Sequence, residues 1–219
     1  MLKMLSLFFV FNTSGFIKQK ELNIDEIYVN LAKGRHISYK KVDGEFIYPE
    51  NNTNGGSYVA EFFGKEKKYS IIYTGYSSDR KDHIKFNNQL FILNDKIDPL
   101  SLVMYKFGLN NKYLCLIGKG QSASGSGMQV SYFIVFELDK LGIIKKYYKF
   151  SSRFGNINSL VDCNKNGSIN YFKIVNGNKM GQYVLTLNDA KSDKRINKRL
   201  VLLNYKLNNK FVVLKDTLQ

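Results

Sequence analysis

Tryptophan is absent from this chain, and proline, cysteine and histidine occur only twice each among 219 residues. Proline removes a ladder donor and is confined to sheet edges and bulges, so two prolines leave the extended runs almost unbroken. Two cysteines exclude a disulfide framework as the main source of stability. Cys115 stands in the apolar run 113–117 and Cys163 in a polar stretch, and one bridge between them stays open. The histidines His36 and His83 have no motif around them, and G-x-S-x-G, H-E-x-x-H and Cys-His patterns are all missing. The first eleven residues carry Lys3 and then a short apolar run, too short to span a bilayer. Residues 1–14 therefore read as a signal-like segment without a small-x-small cleavage site, or as a first buried element, and the compartment stays open.

Acidic residues are scarce in one place only. Residues 1–139 hold 17 basic and 14 acidic side chains (+3), and residues 140–219 hold 16 and 4 (+12), which accounts for the net +15. Such a field attracts nucleic acid, anionic lipid or an acidic protein without choosing among them.

What is present is enough to fold. Hydrophobic residues make up 44% and charged residues 23%, ordinary for a soluble domain, and 15 tyrosines with 16 phenylalanines supply large side chains that fill a pleated surface. One α-helix is predicted over 23–33. Asn23 and Glu26 form a capping box, Gly34 closes the helix, and Ile24, Ile27, Tyr28 and Leu31 make one apolar stripe. The rest reads as short strands with turn chemistry between them. Asp43-Gly44 predicts a hairpin turn between 36–41 and 45–48, and 49–57 reads as a loop. Further strands are predicted at 69–73, 89–93, 100–107, 113–117, 128–138, 143–150, 171–175, 182–187, 200–207 and 210–214. Asn110-Asn111, 139–142 and Asn208-Asn209 supply turns among them. The expected fold is mainly β: one domain over 1–219, an antiparallel sandwich, barrel or partial propeller-like meander with one early helix.

Three segments are candidates for function. The first, 118–127, is rich in glycine and serine. Gly118, Gly120 and Ala123 satisfy a dinucleotide fingerprint formally, but a strand follows where a helix is required. It reads as a surface loop in which Lys119, Gln121, Ser122 and Ser124 would meet a partner or an anion.

The second runs from Asp162 to Asn170 and resembles the D-x-[DN]-x-[DN]-G opening of calcium loops, including those of FG-GAP-like repeats. The resemblance implies Asp162, Asn164, Asn166 and Asn170 as side-chain ligands and Ser168 as a backbone ligand. Asp162 is the one acid among them, and Asn166-Gly167 is equally a hairpin signal. Calcium is the one cofactor the sequence suggests.

The third, 191–199, packs Lys191, Lys194, Arg195, Lys198 and Arg199 into nine residues. With Lys145, Lys146 and Lys149 it would form one basic patch. Tyr147 and Tyr148 beside those lysines would stack on bases if the partner were nucleic acid, although strand tyrosines usually pack.

With no catalytic motif and no RNA- or DNA-binding signature, the sequence points to a non-enzymatic binding module. Its basic C-terminal surface would meet an acidic protein in an immunity- or assembly-type interaction. Two alternatives stand beside it: a basic nuclease-like enzyme using His36, or His83 near Asp79 and Asp82, and an extracytoplasmic domain steadied by calcium.

Overall fold

The computed structural model describes residues 20–47, 57–63, 68–74, 82–86, 89–93, 97–120, 129–206 and 208–217. The signal-like segment 1–14 and most of the loop 49–57 lie outside them. In chain order the elements are β1 (Glu21–Asn23), α1 (Ile24–Ala32), β2 (Tyr39–Ile47), β3 (Ser57–Phe63), β4 (Lys68–Thr74), β5 (Asp82–Phe86), β6 (Gln89–Leu93) and β7 (Ile97–Phe107). There follow β8 (Tyr113–Gly120), β9 (Val130–Leu138), β10 (Ile144–Arg153), β11 (Leu160–Val161), β12 (Asn170–Asn176), β13 (Gln182–Asp189), β14 (Leu200–Lys206) and β15 (Lys210–Thr217). Two antiparallel sheets result, one of nine strands in the order β10-β9-β8-β7-β2-β3-β4-β5-β6 and one of six in the order β1-β15-β14-β13-β12-β11. Almost every strand pairs with its neighbour in sequence, so the chain is a set of meanders, as its closely spaced turns predict.

The nine-stranded sheet curls into a half-barrel. Phe86 of β5 and Phe91 of β6 lie against Phe136 of β9, each with ring centroids 5.0 Å away. Phe91 also meets Tyr147 of β10 at 4.8 Å, and Lys149 Nζ donates to the Ile92 carbonyl at 3.3 Å. The two ends of the sheet thus touch through side chains.

The curl explains why β8 and β9 are apolar without alternation. Leu114, Leu116, Ile134 and Phe136 fill the inside of the curl, while Cys115, Ile117, Phe133 and Val135 point the other way into a core shared with the six-stranded sheet. Both faces are buried over 114–117 and 133–136, so each of those positions is apolar. In that shared core Phe150 and Tyr171 pack at 4.1 Å across the sheets. β11 is only two residues long and leaves the edge of β12 open beyond Tyr171. Ser152 of β10 meets that edge, accepting from Ile174 N at 2.9 Å.

The far face of the six-stranded sheet carries α1. Ile27, Tyr28 and Ala32 pack with Phe172, Ile174, Leu185, Val201, Leu203 and Phe211, and Tyr28 stacks on Phe172 at 5.7 Å. The predicted capping box is present: Glu26 N donates to Asn23 Oδ1 at 2.8 Å, and Asn23 N to Glu26 Oε2 at 2.7 Å. Asn23→Ala removes one side of it and is expected to cost about 1 kcal/mol, read as a thermal midpoint roughly 2–4 °C lower. An unchanged midpoint would show that packing alone holds the helix.

One turn expectation is corrected. Asp43-Gly44 lies inside β2, not between two strands. The first part of β2, Tyr39 to Val42, pairs with β7, and Asp43 to Ile47 pairs with β3. The dipeptide marks where the strand changes partner, and two flanking ladders outweigh its local turn preference. The asparagine pairs behave as predicted: Asn110, Asn111, Asn208 and Asn209 all have positive φ. Among the described residues no helix is long and apolar enough to cross a membrane. Both cysteines are free thiols.

Candidate binding site

The basic segment is the connection between β13 and β14, and it is tied down at many points. Asp189 Oδ1 accepts from Ser192 N at 2.8 Å and from Ser192 Oγ at 2.7 Å, and Asn188 Nδ2 donates to the Asp193 carbonyl at 3.0 Å. Ala190 N reaches the Ile169 carbonyl and Ile196 N the Leu187 carbonyl, both at 3.0 Å. The Asp193 carboxylate takes Lys173 Nζ at 2.6 Å and the Tyr171 hydroxyl. Its five cations then divide by role. Arg195 turns back onto the carbonyls of Asn197 and Lys198, and Arg199 forms a two-point pair with Asp216 at 2.8 and 2.5 Å. Lys191, Lys194 and Lys198 are exposed, and no ion pair holds them among the described residues.

The lysines of β10 are less unified than the sequence suggests. Lys145 lies 3.5 Å from Asp139. Lys146 alternates with Tyr148 and Phe150, which face the shared core, while Lys149 shares the curl side with Tyr147 and bonds Ile92. Lys149 is therefore on the opposite face of its strand from Lys146. Tyr148 packs against the shared core, and Tyr147 meets Phe91 edge-on while its other side stays in solvent.

The Arg199–Asp216 pair has a pH signature. The guanidinium holds the Asp216 carboxyl below its usual 3.8. A carboxyl depressed by folding contributes stability that is present above the unfolded pKa and lost as pH falls through the folded one. Both side chains are partly exposed, at 26% and 38%, so screening keeps the effect under about 1 kcal/mol. The urea midpoint of Asp216→Asn is expected to fall below that of the parent near neutral pH, and the two should converge as the pH falls through the depressed pKa of Asp216. A gap of constant size would assign the effect to packing.

Arg199 also lines a pocket of about 210 Å³ between the end of α1 and the six-stranded sheet. Leu31, Phe172, Leu185, Leu187 and Val201 supply its apolar wall, and Lys33, Arg35, Asn197 and Arg199 its polar part. Cys163 stands beside them, its thiol pushed up by burial. Lys33 has φ 48 and ψ 48, in the left-handed region, and Gly34 follows at φ 76. Lys33 and Arg35 played no part in the sequence reading beyond the end of the helix, because only the docking of α1 brings them to Arg199.

The Asp162 loop folds on itself. Asp162 Oδ1 and Oδ2 accept from the amides of Asn166 and Gly167, at 3.2 and 2.8 Å, and Asn166 Oδ1 accepts from Ser168 N at 2.9 Å. Asn170 Oδ1 accepts from Cys163 N at 3.3 Å, and Asn164 is exposed. A cation bound there would compete with these amides for the same oxygens. Asp162, Asn166 and Ser168 line a depression of about 410 Å³ together with His36, Lys112 and Tyr113. His36 Nε2 is buried there without a hydrogen-bond partner among the described residues. His83 lies in β5, but its side chain and residues 79–81 lie outside the described residues.

The glycine-rich segment begins inside β8, which runs through Gly120. A Cβ at Gly118 would collide with Ile97 and come within 3.0 Å of Leu102, so this glycine serves strand packing. The Lys119 ammonium donates to Ser131 Oγ at 2.8 Å and to the Gly155 carbonyl at 3.4 Å, and burial lowers its pKa. Gln121, Ser122 and Ser124 lie outside the described residues.

No protein-family model, no curated protein and no solved structure matches the chain.

Proposed function

We propose that the protein is a binding module that offers the β13–β14 connection and the adjoining end of α1 to an acidic protein. The observation that carries this reading is a division of labour within one connection: Arg195 and Arg199 fasten it, and Lys191, Lys194 and Lys198 stand free in solvent. Holding like charges together on a rigid frame works against stability through self-repulsion, and it favours association with an opposite field at low ordering cost. Asn197 and Arg199 join this surface to the pocket below it.

The test is a titration with poly-glutamate, mixed RNA and anionic vesicles across a salt series, with RNA integrity followed in the same tubes. Poly-glutamate binding that persists near 150 mM salt while RNA and vesicles are released is the expected result. Salt-steep RNA binding would move the reading to nucleic acid, and RNA cleavage to the nuclease-like alternative, where His36 and Asp162 share one depression.

A further inference from the structure

We infer that the pocket under the end of α1 receives one apolar side chain of an acidic segment, with the carboxylates that flank it resting on Lys33, Arg35 and Arg199. This rests on the proposed function and specifies how the partner is anchored. The wall of Leu31, Leu185, Leu187, Val201 and Phe172 is the environment a leucine- or phenylalanine-sized group seeks. Its volume, about 210 Å³, exceeds the ~150 Å³ of an apolar cavity that takes benzene. A wholly apolar ligand would leave Lys33 and Arg35 unused, and a purely ionic one would leave the half-buried Leu31 and Leu187 wet. An acidic segment with one large apolar residue satisfies both. Asp216 pairs directly with Arg199 and its field also reaches Lys33, while neither Lys33 nor Arg35 is in direct ion-pair contact among the described residues. That is room for two carboxylates.

A second observation points the same way. Left-handed backbone is uncommon for a lysine and costs of order 1 kcal/mol or more, whereas glycine adopts it freely. The chain ends α1 with two successive left-handed residues and places lysine, not glycine, at the first of them. The result is a cation on the pocket wall where helix-ending geometry alone would favour glycine.

Cys163 reports occupancy from inside the pocket, because Cys115, the other thiol, is fully buried in the core between the sheets. The experiment follows alkylation of Cys163 by iodoacetamide in the full chain, with Glu-Glu-Leu-Glu-Glu or Glu-Glu-Ala-Glu-Glu peptides, both blocked at their ends. The leucine peptide is expected to bind roughly tenfold more tightly than the alanine peptide and to slow alkylation at saturation. Lys33→Gly should weaken the leucine peptide severalfold while the thermal midpoint stays level or rises, an outcome that a merely structural lysine would not give. If the two peptides bind alike, or the leucine peptide binds without protecting Cys163, the anchoring inference is overturned and the proposed function stands. If neither peptide nor poly-glutamate binds, both fail.

Discussion

Phe136→Ala should lower the stability of the whole chain by about 3–5 kcal/mol, the cost of deleting a buried aromatic ring and leaving a cavity. The side chain is fully buried, and it touches Phe86 and Phe91 from the far end of the nine-stranded sheet as well as Tyr147 from the near end. Phe91 and Tyr147 also meet across the curl, but Phe136 is the ring that touches all three of Phe86, Phe91 and Tyr147. Truncation removes packing on three sides at once, and Phe86 and Phe91 belong to strands whose only ladder partners among the described residues are one another and β4. For a domain of this size the thermal midpoint should fall by roughly 10 °C or more. Amides of β5 and β6 should lose hydrogen-exchange protection before those of β12 and β13, which rest on a different core. A midpoint within 2 °C of the parent would mean that the curl is not closed through Phe136.

Most of the architecture was legible because it depends on local signals. The capping box needs only Asn23 and Glu26 three residues apart, and the structure contains it. The unbroken apolar runs around Cys115 and Val135 predicted strands, although not that both of their faces would be covered. Where the reading failed, a tertiary ladder outweighed a local preference. Asp43-Gly44 has the chemistry of a hairpin turn, yet β7 and β3 hold the chain extended through it. The strands β3 and β5, Ser57–Phe63 and Asp82–Phe86, escaped notice because they lack a long alternating run.

The site was legible only in part. Charge density named the 191–199 segment, but a count of cations does not say which are already paired. Asp216 lies seventeen residues beyond Arg199 and meets it only because β14 and β15 form a hairpin, with Leu200 opposite Thr217. The pocket was invisible, since its wall draws on α1, the strand β12, Cys163 and the β13–β14 hairpin together.

That division among cations yields the most discriminating variant. Reversing Lys191, Lys194 and Lys198 to glutamate should reduce binding to poly-glutamate at least tenfold near 150 mM salt, chiefly through slower association. Three exposed pairs contribute about 0.2–1 kcal/mol each, and reversal replaces each attraction by a repulsion of similar size. The total reaches the roughly 1.4 kcal/mol that makes a factor of ten. Stability should stay within about 0.5 kcal/mol of the parent, since these side chains hold no ion pair among the described residues. Reversing Arg195 and Arg199 instead sets a carboxylate against Asp216 and removes the guanidinium that steadies the carbonyls of Asn197 and Lys198, so that variant should lose stability as well as binding. Electrostatics spread over the whole basic third would make the two variants bind alike. A fixed surface built on one connection requires that the lysine triple lose binding while keeping its fold, and unchanged affinity in that triple would remove the connection from the interface.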